Sequence, residues 1–176
     1  MKKIAVILGA RPNFVKAAPF FKEAKNHSNF EFSLVHTGQH FDENMSKIFF
    51  DEMEIPKPDI MFDIRGEMHT EKIGKMFNTM KEYFMDNNFD RVVVFGDVNS
   101  TLAGGIAAVK NNISLVHVEA GLRSHDRRMP EEINRVLVDH LSDLLFTTEP
   151  SGNENLKKEG IDESRIKYVG NIMIES

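Results

Sequence analysis

Short apolar runs alternate along the chain with longer segments in which apolar residues recur at helical spacing. The runs are rich in Val, Ile and Leu, and most are nearly continuous in apolar character, which is typical of parallel strands that are covered on both faces. They comprise Ile4–Leu8, Phe32–His36, Val92–Phe95, Ser114–Val118, Leu144–Thr147 and Ile166–Val169. A further short strand, Ile60–Phe62, is predicted inside the stretch 56–69, where Pro, Asp and Gly interrupt any period.

One segment between these runs has a strong helical period. Its apolar residues recur at intervals of three and four positions, at Ile73, Met76, Phe77, Met80, Tyr83 and Phe84. We interpret these Met and Phe side chains as core packing. Strands and helices that alternate in this way form right-handed βαβ units. The chain is therefore predicted to be a single α/β domain, residues 1–176, with a doubly wound parallel sheet.

Composition narrows the function classes. With 176 residues and 41% hydrophobic content, the chain can bury one core of ordinary size. A net charge of −5 and a pI near 5.8 argue against nucleic-acid and anionic-membrane partners, which need a basic face. No apolar run approaches the roughly 20 residues that span a bilayer, and the cysteine-free sequence fits a reducing compartment. These features predict a cytoplasmic protein.

Residues that follow the strands are the first places to look for chemistry, because ligands of doubly wound sheets bind outside the carboxyl ends of the strands. After the first strand, Arg11 lies in a turn, Pro12 is suited to begin a helix and Lys16 follows about one helical turn later. A helix N-terminus beside these cations is suited to hold a phosphate. The alternative is an ordinary helix start with solvated Arg and Lys side chains.

A second such position follows the strand Val92–Phe95. Asp97 comes after Gly96 at the end of this strand, and Asn99 or Ser100 is expected to cap the next helix. A carboxylate at this position can act on a ligand at the sheet edge. The alternative is that Asp97 is a turn residue only.

The third position is the most charged stretch of the chain, VEAGLRSHDRRMPEEINR at residues 118–135. Glu119 ends a strand, where apolar neighbours favour the protonated form of a carboxylate unless a cation lies beside it. Such an environment suits acid/base chemistry. The stretch is either a solvated loop or a site for an anionic, sugar-like substrate.

Pro130 is predicted to begin the helix that follows, with Glu131 in its first turn. At about 100° per residue, one face of this helix is apolar, and Glu131 and Arg135 lie together on the opposite face. The apolar face comprises Ile133, Val136, Leu137, His140 and Leu141. Glu131 and Arg135 either belong to a charged site or form an ordinary surface ion pair.

The histidines do not indicate a metal site. His117 lies within a strand and His140 on the apolar helix face, so both are predicted to be packed, hydrogen-bonded side chains. No cluster of His and carboxylates has the spacing of a zinc site.

Five segments of the sequence together resemble one enzyme family. In order and spacing they resemble the non-hydrolysing UDP-N-acetylglucosamine 2-epimerases over essentially the whole chain, and they read GARPNFVKAAP, TGQHFDENM, FGDVNST, HVEAGLRS and MPEEINR. The resemblance implies the glycosyltransferase-B architecture, in which two Rossmann-like halves hold a UDP-sugar between them. It also implies that this chain is the amino-terminal half, that it lacks a carboxy-terminal nucleotide-binding domain, and that the full-length enzyme is a homodimer.

The reaction implied by this resemblance inverts C2 of the sugar and supplies precursors of surface polysaccharides. UDP is eliminated to leave a 2-acetamidoglucal, and it adds again while the proton returns to the other face of C2. The carried-over residues are Asp97, Glu119 and Glu131 as catalytic carboxylates, and Arg11, Lys16 and Arg135 as substrate-binding cations. The resemblance implies no cofactor and no metal. Carboxylates suit proton transfer, and arginines suit the charge that develops on UDP.

The placement of these residues after strands gives a geometric expectation. Because the carboxyl ends of parallel strands share one edge of a sheet, we expect the side chains of Arg11, Asp97, Glu119 and Glu131 to converge on a common cleft.

Two departures from the family pattern bear on regulation and substrate. Many bacterial members have Gln-His-x-Gln at a regulatory site for a second UDP-sugar, whereas here Gln39 and His40 are followed by Phe41 and Asp42. An acid in place of an amide near a phosphate argues against the same regulation. Met129 stands where many members have an aromatic residue. This pattern resembles the branch that acts on UDP-2,3-diacetamido-glucuronic acid, which is the alternative substrate.

Two further functions stay open at this stage. One is a glycosyltransferase of the same architecture, for which the sequence shows no acceptor site. The other is a non-catalytic module that binds a nucleotide sugar, but three carboxylates near a dianionic ligand argue against a pure binder.

Overall fold

The computed structural model describes residues 1–38, 50, 53–64 and 68–172. In this part of the chain, seven strands form one sheet in which every pairing is parallel. The strands are β1 (Lys2–Leu8), β2 (Phe30–His36), β3 (Ile60–Met61), β4 (Arg91–Phe95), β5 (Ser114–Val118), β6 (Leu144–Thr147) and β7 (Ile166–Tyr168). The α-helices are α1 (Arg11–Ala24), α2 (His69–Asp86), α3 (Asn99–Lys110), α4 (Pro130–Leu141) and α5 (Pro150–Lys158).

The strand order across the sheet is β3-β2-β1-β4-β5-β6-β7. The chain therefore builds outward from β1 to β3, returns to the other side of β1 and continues from β4 to β7. The order reverses between β1 and β4, and ligands of doubly wound sheets bind above such a reversal. The predicted α/β class with a doubly wound parallel sheet is confirmed.

The apolar runs located the strands closely. β5 and β6 begin and end as predicted, whereas β1 and β2 each begin two residues earlier. Their added residues are exposed or half-buried. They still pair through the backbone, with Lys2 opposite Phe30, because ladder hydrogen bonds need no apolar side chain.

The predicted cap of α3 is wrong. Val98 occupies the capping position and no side chain caps the helix, while Asn99 and Ser100 lie inside it and are buried. The Ser100 hydroxyl instead lies 2.7 Å from the hydroxyl of Thr37. Its partner therefore lies at the carboxyl end of β2, a long-range contact that a local capping rule does not include.

Apolar clusters hold the helices on both faces of the sheet. One cluster joins α2, α3 and α4 to one face, and a second joins α1 to the other. Alternation along β1 places Ile7 in the first cluster and Val6 in the second. Met76 and Met80 of α2 are fully buried, which confirms their predicted role in packing. A third cluster surrounds Leu156 of α5.

Helix α4 buries a different face from the one predicted. Ile133 and Leu137 of the predicted apolar face are 40% and 46% exposed. The buried residues of α4 are Glu132, Asn134, Val138 and Asp139. Three of these four are polar and hydrogen bonded. Hydrogen bonds and ion pairs therefore decide how α4 faces the domain, and apolar periodicity does not report them.

The described residues cover only part of the sheet face that carries α1. Beside α1 lies an open groove of about 850 Å³ whose lining includes Phe20, Phe32, Val93, Val116 and Phe146. Within the described ranges, no helix is long and apolar enough to cross a membrane.

Candidate active site

The ends of β1 and β4 are tied together by the helices that follow them. Asn13 of α1 donates from Nδ2 to the Phe95 carbonyl at 2.9 Å, and the Thr101 hydroxyl of α3 donates to the same oxygen at 2.7 Å. Both side chains are buried. The first turns of α1 and α3 therefore have fixed positions at the crevice where the strand order reverses.

An ion pair between Lys16 and Glu119 lies at this edge of the sheet. Lys16 Nζ contacts Glu119 Oε2, and the two side chains are 17% and 23% exposed. Lys16 comes from α1 and Glu119 follows β5. Glu119 has a φ of 71°, a left-handed conformation that is costly for a residue with a side chain and is frequent at functional sites.

A second ion pair joins Asp97 to Arg135. Arg135 Nη2 contacts Asp97 Oδ2, and the side chains of Arg135 and Asp97 are 14% and 22% exposed. The preceding residue of α4, Asn134, donates from Nδ2 to the Asp97 carbonyl at 2.9 Å. Helix α4 therefore holds both the side chain and the backbone of Asp97.

Gly96 separates the two ion pairs. It has a φ of 62°, and a Cβ atom placed on it would lie 3.2 Å from Lys16 Nζ and 3.4 Å from Glu119 Oε2. A side chain at this position would crowd the Lys16–Glu119 ion pair. The left-handed backbone conformation also favours glycine over other residues. Because Asp97 is the next residue, Gly96 links the two ion pairs through the backbone.

Glu132, which sequence reasoning missed, anchors the loop before α4. It is 3% exposed and accepts hydrogen bonds from the N–H groups of Ser124 and His125, each at 3.0 Å. Arg135 Nη1 lies 3.2 Å from its Oε2. Burial raises the pKa of Glu132, but these N–H groups and Arg135 outweigh it, so that the pKa lies below its ordinary range. The only sequence signal was a Glu in the first turn of a helix, and Glu131 shares that signal.

A buried network of charged residues lies behind the two ion pairs. His117 and Asp139 are fully buried, with 2.7 Å between Nδ1 and Oδ1. Arg123 lies 2.7 Å from Asp139 and 2.7 Å from Glu159. Burial raises the pKa of Asp139, but His117 and Arg123 outweigh this effect and hold it below the ordinary value. The prediction of a packed, hydrogen-bonded His117 is confirmed. The same prediction for His140 is wrong, because its side chain is 48% exposed.

The structure brings four of the six predicted site residues together. They are Lys16, Asp97, Glu119 and Arg135. The other two, Arg11 and Glu131, are exposed. Each lies in the first turn of the helix, α1 or α4, that also carries a cation of the cluster.

Two other predictions concern Arg135 and the regulatory site. Arg135 was expected beside Glu131, and its guanidinium pairs with Asp97 and Glu132. The predicted regulatory residues Gln39 and His40 lie outside the described residues.

The geometry suits acid/base chemistry on an anionic substrate. Two partly exposed carboxylates each contact a cation, and such cations can also bind a phosphate. Among the residues with described positions, no three His, Asp or Glu side chains are grouped as metal ligands. The fold and the site together define a doubly wound α/β domain with a carboxylate-based site at the reversal of its strand order.

Comparison with known proteins identifies the family. A family model described as UDP-N-acetylglucosamine 2-epimerase matches residues 22–176, and the chain belongs to this family. A UDP-N-acetylglucosamine 2-epimerase homolog from Methanococcus maripaludis is 51% identical over 174 residues, which are 99% of this chain and 48% of the relative. A UDP-2,3-diacetamido-2,3-dideoxy-D-glucuronate 2-epimerase from Pseudomonas aeruginosa is 46% identical, over 99% of this chain and 50% of the relative.

Solved structures agree with this assignment. The Methanocaldococcus jannaschii UDP-GlcNAc 2-epimerase in complex with UDP-GlcNAc and UDP superposes with a TM-score of 0.93 at 45% identity, over 96% of this chain and 46% of that one. The predicted fold, a Rossmann-like half of a glycosyltransferase-B architecture, is confirmed by this likeness. The chain spans about half the length of the curated relatives that it matches.

Proposed function

We propose that this chain forms one half of a UDP-N-acetylglucosamine 2-epimerase, an isomerase that interconverts UDP-GlcNAc and UDP-N-acetylmannosamine. The observation that carries the proposal is the pair of carboxylate–cation contacts, Glu119 with Lys16 and Asp97 with Arg135, at the carboxyl ends of β5 and β4. A nucleotide sugar offers both a sugar proton for the carboxylates and a diphosphate for the cations.

The reaction follows from the chemistry of C2, whose proton is not acidic because no carbonyl adjoins it. A carboxylate takes this proton while the C1–O bond to UDP breaks, which gives 2-acetamidoglucal, UDP and a protonated acid. UDP then adds to C1 again, and a proton is delivered to the opposite face of C2. No atom is gained or lost overall. Asp97 and Glu119 are the acid/base groups of this proposal, with Glu131 as the third carboxylate.

The cations of the site are assigned to the leaving group. Lys16 and Arg135 contact Glu119 and Asp97, and a bound diphosphate would compete with these carboxylates for them. Charge that develops on UDP strengthens such contacts in the transition state, which is how a site of this kind accelerates bond cleavage. Arg11, exposed in the first turn of α1, is assigned to the same diphosphate.

The working enzyme is proposed to contain a second, nucleotide-binding half, since the chain spans about half of its relatives. We refer to this chain joined to such a half as the full-length epimerase. A homodimer and a cytoplasmic location belong to the same proposal. The first is supported by the family resemblance, and the second by the cysteine-free sequence, which fits a reducing compartment.

A second candidate substrate is UDP-2,3-diacetamido-glucuronic acid. It is favoured by Met129, which stands where an aromatic residue is common in the family, and by the 46% identity to the P. aeruginosa enzyme named for that substrate. The 51% identity to the M. maripaludis homolog favours UDP-GlcNAc.

The decisive experiment uses deuterated water. Full-length epimerase is incubated with UDP-GlcNAc, and the nucleotide sugars are examined by NMR. Deuterium at C2 together with UDP-N-acetylmannosamine is the expected result. Binding without label would indicate a binding module, and sugar transfer without label would indicate a glycosyltransferase. A parallel incubation with UDP-2,3-diacetamido-glucuronic acid decides between the two substrates by their relative kcat/KM.

A further inference from the structure

We propose that His117 is a positioning residue for Asp97, and that it acts as a doubly protonated imidazolium that clamps the Gly96–Asp97 peptide to Asp139 of α4. The His117 side chain is fully buried in β5, so it acts through its neighbours and does not touch the substrate. The kinetic part of this inference rests on the proposed function, whereas the protonation and the clamp do not.

Both ring nitrogens of His117 face an acceptor. Nε2 lies 2.7 Å from the Gly96 carbonyl oxygen, which can only accept, so Nε2 must carry a hydrogen. Nδ1 lies 2.7 Å from Asp139 Oδ1. The second oxygen of Asp139 accepts from the Gly121 N–H at 3.1 Å and lies 2.7 Å from Arg123 Nη1, so this residue acts as an ionised acceptor.

These contacts require hydrogens on both nitrogens of the ring. A neutral imidazole carries one ring hydrogen and would turn a lone pair toward one of the two acceptors. The imidazolium satisfies both acceptors, and it is therefore the form that the geometry selects.

The surroundings also balance the charge of an imidazolium. The network holds two cations, His117 and Arg123, and two carboxylates, the buried Asp139 and Glu159, whose side chain is 28% exposed. A buried charge without such a partner is strongly disfavoured. With two positive and two negative groups in contact, the network as a whole is neutral.

The bond to Gly96 acts directly on Asp97. The Gly96 carbonyl belongs to the peptide group before Asp97, and the Asp97 carbonyl, in the peptide group after it, accepts from Asn134 at 2.9 Å. Both peptide groups that flank Asp97 are therefore held, and α4 supplies both anchors through Asp139 and Asn134. Loss of the imidazole would release one of them and let the Asp97 carboxylate turn away from the sugar.

Glu119 is linked to the same clamp. It follows His117 by two residues in the chain, and Gly121, two residues further on, donates to Asp139. One buried ring thus fixes the relative positions of the two acid/base carboxylates.

The protonation is tested by NMR of the 176-residue chain with ¹⁵N-labelled histidine. The expected result is two slowly exchanging ring N–H groups for His117, assigned by their loss in His117→Phe. The exposed His140 provides the reference for ring protons that exchange with water. A His117 ring with one protonated nitrogen would overturn the clamp as proposed.

The positioning role is tested by kinetics of full-length epimerase. His117→Phe keeps ring volume and removes both donors, whereas His117→Gln keeps a donor that can reach the Gly96 carbonyl. The Phe variant is expected to lower kcat by about 10- to 100-fold with KM changed less than about twofold. The Gln variant is expected to recover a larger part of kcat than His117→Asn, whose shorter amide can reach only Asp139.

A matched control separates positioning from general loss of stability. Ser142→Ala removes a buried hydrogen bond of 2.7 Å to the Val138 carbonyl at the end of α4, the helix that carries Asp139. This variant should leave kcat unchanged. Wild-type kcat in a folded His117→Phe enzyme, or equal losses in the Gln and Phe variants, would overturn the proposal. If His117→Phe does not fold, the Gln and Asn variants decide. A wild-type enzyme that does not epimerise would reject the proposed function, and the NMR result would still decide the clamp.

Discussion

Glu119 illustrates how a single backbone conformation shapes the site. Its φ of 71° costs on the order of 1–3 kcal/mol for a residue other than glycine. The N–H groups of Glu119 and Ala120 both donate to the Phe146 carbonyl at 3.0 Å, so the neighbouring strand β6 holds this conformation. The chain therefore turns at Glu119 and places its carboxylate against Lys16 without extending β5.

Replacing Glu119 by Gln in full-length epimerase tests its chemical role. The substitution keeps the shape of the side chain and removes the group that accepts or donates the proton. Turnover is expected to fall by roughly 10²- to 10⁴-fold, while KM changes little, as is usual when acid/base catalysis is lost. Steady-state kinetics measure both values. Glu154→Gln, at an exposed position of α5, is the matched control. Unchanged turnover in Glu119→Gln would leave Glu119 with a structural role only.

His36 predicts a pH-dependent stability. It is fully buried, its Nδ1 accepts from the Gly38 N–H at 2.9 Å, and burial lowers its pKa from 6.5 to about 4. Below pH 6.5 the unfolded chain binds a proton at His36 that the folded chain takes up only near pH 4. The contribution of His36 to the free energy of unfolding is therefore complete above about pH 6.5 and falls as the pH drops, by about 2 kcal/mol between pH 7.5 and pH 5.

Urea unfolding of the chain at these two pH values measures the loss. Other histidines, including the proposed His117 imidazolium, contribute to the measured dependence, so the contribution of His36 is the difference between variant and wild type. The change in stability between the two pH values should be about 2 kcal/mol more favourable in His36→Leu than in wild type, whereas His140→Gln, which changes an exposed histidine, should match wild type. The measurements stay at pH 5 or above because Glu132 and Asp139 also have lowered pKa values. Protonation of these carboxylates at lower pH would destabilise the folded protein as well and would mask the effect of His36. An equal pH dependence in His36→Leu would contradict the assignment.

Position relative to a strand end was enough to find part of the site from sequence. Asp97 and Glu119 directly follow apolar runs, and the sheet order brings them together. Asp139 had no such signal, because it lies in the last turn of α4, away from any strand end, and its partner His117 is 22 residues away. Residues whose role is to hold others are recognised only when long-range contacts are known.

At the scale of elements, apolar continuity specified the strands, because apolar clusters lie on both faces of the sheet. Apolar periodicity did not predict the buried face of α4, which carries Glu132, Asn134 and Asp139. Ion pairs and hydrogen bonds orient this helix, and they leave Ile133 and Leu137 at the surface. Helices that border a polar site are therefore the elements for which apolar periodicity is least informative.

The segment that follows β5, residues 119–121, contacts α5 through Gly121. This residue has a φ of 80°, and a Cβ atom on it would lie 2.5 Å from the Gly152 carbonyl oxygen in the first turn of α5. Its own carbonyl accepts from Asn155 at 2.9 Å. The two backbones approach so closely that only glycine fits.

Gly121→Ala is expected to lower the free energy of unfolding by about 3 kcal/mol or more, from left-handed strain together with overpacking. Gly160→Ala is a matched control, because Gly160 has a similar φ of 82° but no atom within 4 Å of the added Cβ. It should cost only the strain, about 1–2 kcal/mol. Chemical denaturation of both variants provides the comparison. Equal losses would show that α5 moves aside without cost.

At the scale of the whole molecule, the described helices are distributed unequally over the two faces of the sheet. Helices α2, α3 and α4 cover one face of the sheet, whereas α1 leaves the groove of about 850 Å³ beside it. Exposed apolar surface of this kind favours association. The candidate site is also accessible to solvent, since the side chains of Lys16, Asp97, Glu119 and Arg135 at the sheet edge are 14% to 23% exposed.

The 176-residue chain by itself is therefore expected to fold but not to epimerise. Its apolar clusters pack helices on both faces of the sheet, so unfolding should be cooperative in circular dichroism. In the proposed enzyme the second half faces the cleft, and it supplies positioning and water exclusion that contribute several kcal/mol to catalysis. The open groove should also make its sedimentation depend on concentration.

Proton NMR with UDP-GlcNAc and with UDP-2,3-diacetamido-glucuronic acid measures turnover, and full-length epimerase is the positive control. Turnover by the chain alone at a rate like that of the full-length enzyme would show that this domain contains the complete active site.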